Sequence, residues 1–211
     1  MQGMAQKGSW AVDLQGGPSF SNLYGSSYAK HLTNSTGAYS FGAEMHYRWN
    51  AHWGIVASPS FEQIETKMAW DYFIMYPDMP YDLPVGGVPQ KEYPATPMRL
   101  NYIQLPVQLE YRMGTGRLHS FVSAGAFAGM RAGPTPKAPG DAMPADFQPM
   151  NAGVSAGAGL EWSIYRHLAL QVAVRDDLGL VDVLKESEFY NGPLRTQVLN
   201  VLGGLVWEFK H

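Results

Sequence analysis

The chain has 211 residues, 18 acids against 15 lysines and arginines, a net charge of −3 and only 16% charged residues. That length suits one domain, and the charge leaves no basic stripe for a nucleic-acid backbone, so no nucleic-acid partner is expected. With no cysteine, disulfide frameworks, thiolate metal sites and cysteine nucleophiles are excluded.

Mean hydropathy is −0.20, and no run approaches the roughly 20 apolar residues of a membrane helix. A membrane strand escapes that test, because it needs only about 10 residues and every second one faces inward. Residues 1–5 contain Gly3-Met4-Ala5, a small-x-small pattern read as the remnant of a secretory signal. Residues 6–211 are then a single domain.

From there the dominant pattern has period 2, not 3.6. It predicts strands over about 8–16, 38–50, 52–68, 98–113, 118–131, 150–164, 167–182 and 195–210. In 39–50, Tyr39, Phe41, Ala43, Met45, Tyr47 and Trp49 share one face, and Ser40, Gly42, Glu44, His46, Arg48 and Asn50 the other. In 100–113, Ile103, Leu105, Val107, Leu109, Tyr111 and Met113 oppose Gln104, Pro106, Gln108, Glu110 and Arg112. The same alternation sets Val154, Leu160, Trp162 and Ile164 against Ser155 and Glu161, and places Leu199, Val201, Leu205, Trp207 and Phe209 together. Several of these runs exceed the usual 5–6 residues of a strand, as a tilted bilayer crossing requires.

The connections alternate in length. Trp49-Asn50-Ala51-His52, Gly114-Thr115-Gly116-Arg117 and Tyr165-Arg166-His167 are tight turns. Long segments rich in Pro, Gly, Asn and Ser fall at about 17–37, 69–97, 132–149 and 183–194. An even strand count with this alternation puts both termini on the short-turn side, the layout of an outer-membrane barrel with short periplasmic turns. Trp10, Trp49, Trp53, Trp162 and Trp207 also gather near strand ends on that side, with Tyr111, Tyr165 and Phe209, while Trp70 belongs to the other rim. A bilayer interface collects aromatics into such a girdle.

Facing separates this from a soluble barrel with an apolar cup. Asp13, Glu44, Arg48, Glu62, Glu110, Arg112, Glu161, Arg175, Asp177 and Glu208 all lie opposite the large aromatics. At ~2–4 kcal/mol for a cation at the bilayer midplane, these charges belong in the lumen. A lumen of eight strands is about filled by side chains, so they are expected to pair across it. The expected fold is all-β, an eight-stranded antiparallel transmembrane β-barrel with an up-and-down meander.

Four stretches carry a resemblance to a known family. They are Tyr102-Ile103-Gln104-Leu105-Pro106-Val107-Gln108-Leu109-Glu110-Tyr111-Arg112, the run Ala156-Gly157-Ala158-Gly159-Leu160-Glu161, the strand end Arg175-Asp176-Asp177-Leu178-Gly179-Leu180-Val181-Asp182, and the last strand from Arg195 to Phe209. On these the chain resembles the PorT-type outer-membrane β-barrels of Gram-negative envelopes. It departs from them at Asp176, where the family has an aromatic, and in Lys210-His211 after Phe209. The resemblance implies an OmpA-like barrel in the outer membrane; some relatives take part in type IX protein secretion.

Pro106 reads as a bulge at a strand edge, or as a kink shaping the lumen. His52, His119, His167 and His211 gather at the short-turn rim, but a metal needs three or four ligands converging at ~2 Å, so spread interfacial histidines are expected. Asp176, Asp177 and Asp182 suggest paired carboxylates, with His31 as the one histidine at that rim. Solvated or lumen-paired acids are the expected reading. His119 and Ser120 are adjacent, so a strand points them to opposite faces, and no catalytic set emerges. Within 69–97, Tyr72, Phe73, Tyr76 and Tyr81 lie among prolines, the composition of a binding loop.

The expectation is therefore a non-enzymatic outer-membrane barrel without cofactor or metal. It contacts lipid and acts as a structural or accessory subunit of an envelope secretion or assembly system, through its outer loops or periplasmic rim. The alternatives are a narrow pore or small-ligand-binding barrel, and a lipid-modifying barrel enzyme.

Overall fold

A computed structural model describes residues 8–25, 33–68, 96–133, 147–183 and 193–209. The signal-like residues 1–5, the candidate binding residues Tyr72, Phe73, Tyr76 and Tyr81, and Trp70, His31 and His211 lie outside them. The strands are β1 (Ser9–Gly25), β2 (Thr33–Arg48), β3 (Trp53–Ala57), β4 (Ser60–Met68), β5 (Thr96–Met113), β6 (Leu118–Arg131), β7 (Met150–Tyr165), β8 (Leu168–Gly179) and β9 (Leu194–Phe209). All pair antiparallel in one sheet, and β1 closes on β9 from Trp10↔Phe209 to Gly25↔Leu194.

β3 and β4 are two halves of one crossing, so the ring has eight strands. Ala57↔Val107 before the break and Ser60↔Gln104 after it keep one register. Two facing prolines cause the interruption, because neither Pro59 nor Pro106 has an N–H to give the ladder. Their carbonyls remain in use: Ser58 N–H donates to Pro106 O at 2.9 Å and Ala43 N–H to Pro59 O at 3.1 Å. This corrects the reading of Pro106 as an edge bulge. The closed ring has no edge there, and Leu105↔Ala128, Pro106↔Phe127 and Val107↔Ala126 run without a register shift.

The expected loop at 17–37 is also corrected. β1 continues through Gly16-Gly17-Pro18 to Gly25, and β2 already begins at Thr33. Pro18 is tolerated because the β1–β9 register passes from Gly16↔Gly203 to Ser19↔Asn200 with no partner needed at residues 17 and 18, while Pro18↔Tyr39 holds it against β2. The serines that suggested a loop are lumenal: Ser19 and Ser21 are buried, and Ser21 Oγ donates to Glu65 O at 2.7 Å. Glycine is demanded where backbones crowd. A Cβ on Gly125 would stand 2.0 Å from Val107 O. In the turn after β5, Gly114 and Gly116 take φ values of 104° and 85°, which disfavour other residues.

The barrel is inside-out. Large apolar side chains such as Leu14, Ile103 and Val172 are exposed on the wall, while the buried positions are mostly polar. Along β5 the apolar wall runs from Ile103 to Met113. At ~3.3 Å per residue and a ~40° tilt, this spans about 25 Å, the height of an outer-membrane hydrocarbon band. Apolar groups inside the lumen form three clusters. Ala11, Ala169 and Val206 lie towards the short turns, Phe121, Ala173 and Leu202 further in, and Leu23, Ile64, Leu100, Tyr102, Phe147, Val183, Leu194 and Val198 at the long-loop end.

Candidate functional site

Strand alternation sends the even positions of β2, β5 and β9 and the odd positions of β1, β7 and β8 into the lumen, where two polar networks result. In the first, towards the short turns, Arg48 of β2 reaches three other strands. Its Nη1 lies 3.0 Å from Glu208, Nη2 3.0 Å from Glu161 and Nε 3.4 Å from Glu110. Arg112 pairs with the other oxygen of Glu161, and its Nη1 is 3.6 Å from Glu208. Glu44 accepts from Gln15 Nε2 at 2.7 Å and Ser58 Oγ at 2.8 Å.

The second network is deeper towards the long loops. Arg175 Nε stands 3.0 Å from Asp177, which also accepts from Ser155 Oγ. Asn200 Nδ2 bridges to Glu62 at 3.0 Å and Asp177 at 3.4 Å. Gln108 Nε2 donates to Ser155 Oγ at 2.8 Å, tying β5 to this group. Of the ten charged residues marked from sequence, Asp13 alone stands apart. It is fully buried, and among the described residues it makes no ion pair or side-chain hydrogen bond.

Sequence reasoning missed His46. It is 1% exposed and lies between two carboxylates, Nε2 at 3.4 Å from Glu44 and Nδ1 at 3.3 Å from Glu110. The signal was available, since the 39–50 alternation puts His46 on the face of Glu44 and Arg48, but an imidazole carries no fixed charge that marks it as lumenal. Tyr39 and Phe41 take the outer face that the alternation gives them, and Phe61, not placed from sequence, stacks there, with Phe41 and Phe61 centroids 5.2 Å apart.

Between the networks a cavity of about 20 Å³ is lined by Gln15, Glu44, Gln108, Glu110, Gln171 and Arg175 among others. That is room for about one water, far from the few hundred Å³ of an organic-substrate site. The three aspartates near the long-loop end do not converge. Asp177 is lumenal, Asp176 accepts from Gln197 Nε2 at 3.4 Å on the outside, and Asp182 lies 3.2 Å from Arg195. The rim histidines sit on separate elements; His52 Nδ1 is 3.1 Å from Arg112 O. Among the described residues, no group of three or more His, Asp or Glu is placed to hold a metal.

At the short-turn end Trp10, Trp49, Trp53, Trp162, Trp207 and Phe209 are all exposed on the outer wall. Trp10 packs on Tyr47 and Trp53 on Tyr111, each with centroids 4.8 Å apart. Aromatic rings at the end of an exposed apolar band are what a membrane–water interface selects.

Comparisons with known proteins agree with this geometry. OprG of Pseudomonas aeruginosa superposes with a TM-score of 0.57 at 13% identity, covering 98% of this chain and 99% of that one. The Neisserial surface protein NspA gives 0.53 at 12%, covering 97% and 100%. The AlkL barrel, determined in lipid bilayers, gives 0.52 at 12%, covering 100% and 94%. At such identities the likeness concerns the fold. No curated protein sequence matches the chain. The model of the outer membrane protein beta-barrel domain matches residues 4–185, most of the chain. The protein therefore belongs to the outer-membrane β-barrel domain family and is an integral β-barrel of a bacterial outer membrane.

Proposed function

We propose that this barrel is a closed, non-enzymatic component of the envelope, an accessory subunit of a secretion or assembly system of the PorT type. Its wall anchors it in lipid, its termini and short turns face the periplasm, and partners bind the outer loops or the periplasmic rim. The observation that carries this reading is a lumen crossed by ion pairs and closed over by apolar side chains. Two ion-paired networks and the apolar cluster around Tyr102 and Phe147 span it, which favours function at the outer surfaces. The scattered Asp176, Asp177 and Asp182 weigh against a carboxylate-based enzyme.

The aromatics Tyr72, Phe73, Tyr76 and Tyr81 are the proposed contact residues of the outer loops. The test is gentle-detergent purification of the tagged native protein from outer membranes, beside a variant whose residues 72–92 are replaced by a short Gly-Ser linker. A complex of fixed stoichiometry with the native chain, lost in the variant while the barrel still folds, is expected. A lone monomer from native membranes would contradict the subunit reading.

A further inference from the structure

The arginines of the barrel are matched with acceptors almost everywhere. Arg48, Arg112 and Arg175 pair with lumenal acids. Outside the lumen, Arg99 Nε is 2.6 Å from Glu65 and Arg195 lies 3.2 Å from Asp182, while at the long-loop mouth of the lumen Arg131 Nη1 donates to Phe147 O at 3.0 Å. Two remain. Arg117, in the turn before β6, and Arg166, in the turn after β7, are exposed, and neither makes an ion pair or side-chain hydrogen bond with a described residue.

These two arginines belong to neighbouring hairpins. Ser163 N–H donates to Arg117 O at 2.7 Å, and Arg166 follows three residues later, in the turn after β7. Between them the β7–β8 register shifts at Ser163/Tyr165, a bulge that leaves Ile164 and Tyr165 both exposed, 49% and 73%. Bulges at barrel rims re-aim side chains in this way. Directly beneath, Leu118 pairs with Trp162, both more than half exposed. The patch thus has two unpaired guanidinium groups above an apolar and aromatic platform that continues into the lipid-facing wall. Among the described residues no exposed acid lies at this end, since Glu161 is buried and Glu208 is engaged by Arg48 and Arg112.

We infer that Arg117 and Arg166 form a docking site for the headgroup of an anionic membrane phospholipid, whose acyl chains lie along Leu118, Trp162 and Ile164. Charge complementarity and continuity with the apolar belt select this occupant. Guanidinium forks bind phosphate oxygens, tyrosine and tryptophan sit at headgroup level, and the membrane supplies the ligand at high local concentration. A protein partner would not need the platform to merge with the lipid-facing wall.

The test uses the full chain refolded into vesicles of phosphatidylcholine containing trace spin-labelled phosphatidylglycerol or spin-labelled phosphatidylcholine. The fraction of motionally restricted label is compared for native protein, the Arg117→Gln/Arg166→Gln double variant, and an Arg99→Gln/Arg195→Gln double variant. Folding is checked for each by heat-modifiable migration. The expected result is a two- to threefold preference for phosphatidylglycerol in the native barrel, lost in the first variant and kept in the second. No preference in the native barrel, or a preference that survives Arg117→Gln/Arg166→Gln, would overturn the assignment. Loss only in Arg99→Gln/Arg195→Gln would place the anionic site at the other rim and overturn it equally.

Discussion

Replacing Arg48 with methionine is expected to destabilise the folded barrel by about 3–5 kcal/mol, the usual cost of removing one partner from a buried ion pair. Its guanidinium lies within 3.4 Å of Glu110, Glu161 and Glu208, from three different strands. Among the described residues, its loss leaves Arg112 as the one guanidinium against Glu161 and Glu208, and His46 as the one cationic partner of Glu110. The loss comes less from the absent attraction than from carboxylates left buried and uncompensated. Adding Glu110→Gln to Arg48→Met removes one of those charges, so the double variant is expected to recover part of the loss. Urea unfolding from vesicles measures both variants. A cost below about 1 kcal/mol for Arg48→Met would show that the network is not closed to water and does not hold the barrel together.

The second large effect is on the outer wall. Val107 lies near the middle of the apolar run from Ile103 to Met113 on β5 and is 41% exposed. An arginine there must leave water for hydrocarbon, at about 2–4 kcal/mol at the midplane, falling to ~0–1 kcal/mol near the interfaces. Val107→Arg is therefore expected to cost about 2–4 kcal/mol, and Met113→Arg, beside the aromatic rim, no more than ~1 kcal/mol. Equal costs at the two depths would mean that the β5 belt does not span the bilayer as its height implies.

The wall and the lumen were legible because a barrel asks one thing of every strand. Side chains at even and odd positions meet different solvents, so Glu44, Glu110 and Glu161 reveal the lumen by standing opposite Tyr47, Leu109 and Trp162. The same regularity hid β1 beyond Gly16. There the lumen-facing positions are Ser19 and Ser21, which in sequence resemble a turn, and Gly16-Gly17-Pro18 resembles its start. Only the closed ring reveals that Pro18 sits where the β9 ladder asks nothing of it.

Partner choice within the lumen was not legible. Which acid Arg48 reaches depends on strand stagger around the ring, which no single strand's alternation carries. His46 was on the polar face but went unassigned because its chemistry depends on neighbours 2 and 64 residues away, Glu44 and Glu110. The apolar cluster at the long-loop end was hidden in the same way. Leu23, Phe147 and Val183 lay outside or at the ends of the expected strands, and only closure of the ring brings them over Tyr102.

The proposal that this barrel works through its outer surfaces is tested most directly by the conductance of the purified protein in a planar bilayer. The lumen filled by the Arg48 and Arg175 networks and the Tyr102–Phe147 cluster predicts a current no greater than the leak of the bare bilayer. Discrete, ohmic, repeatable steps from the native protein would mean that a continuous wet path exists, and would make it a pore.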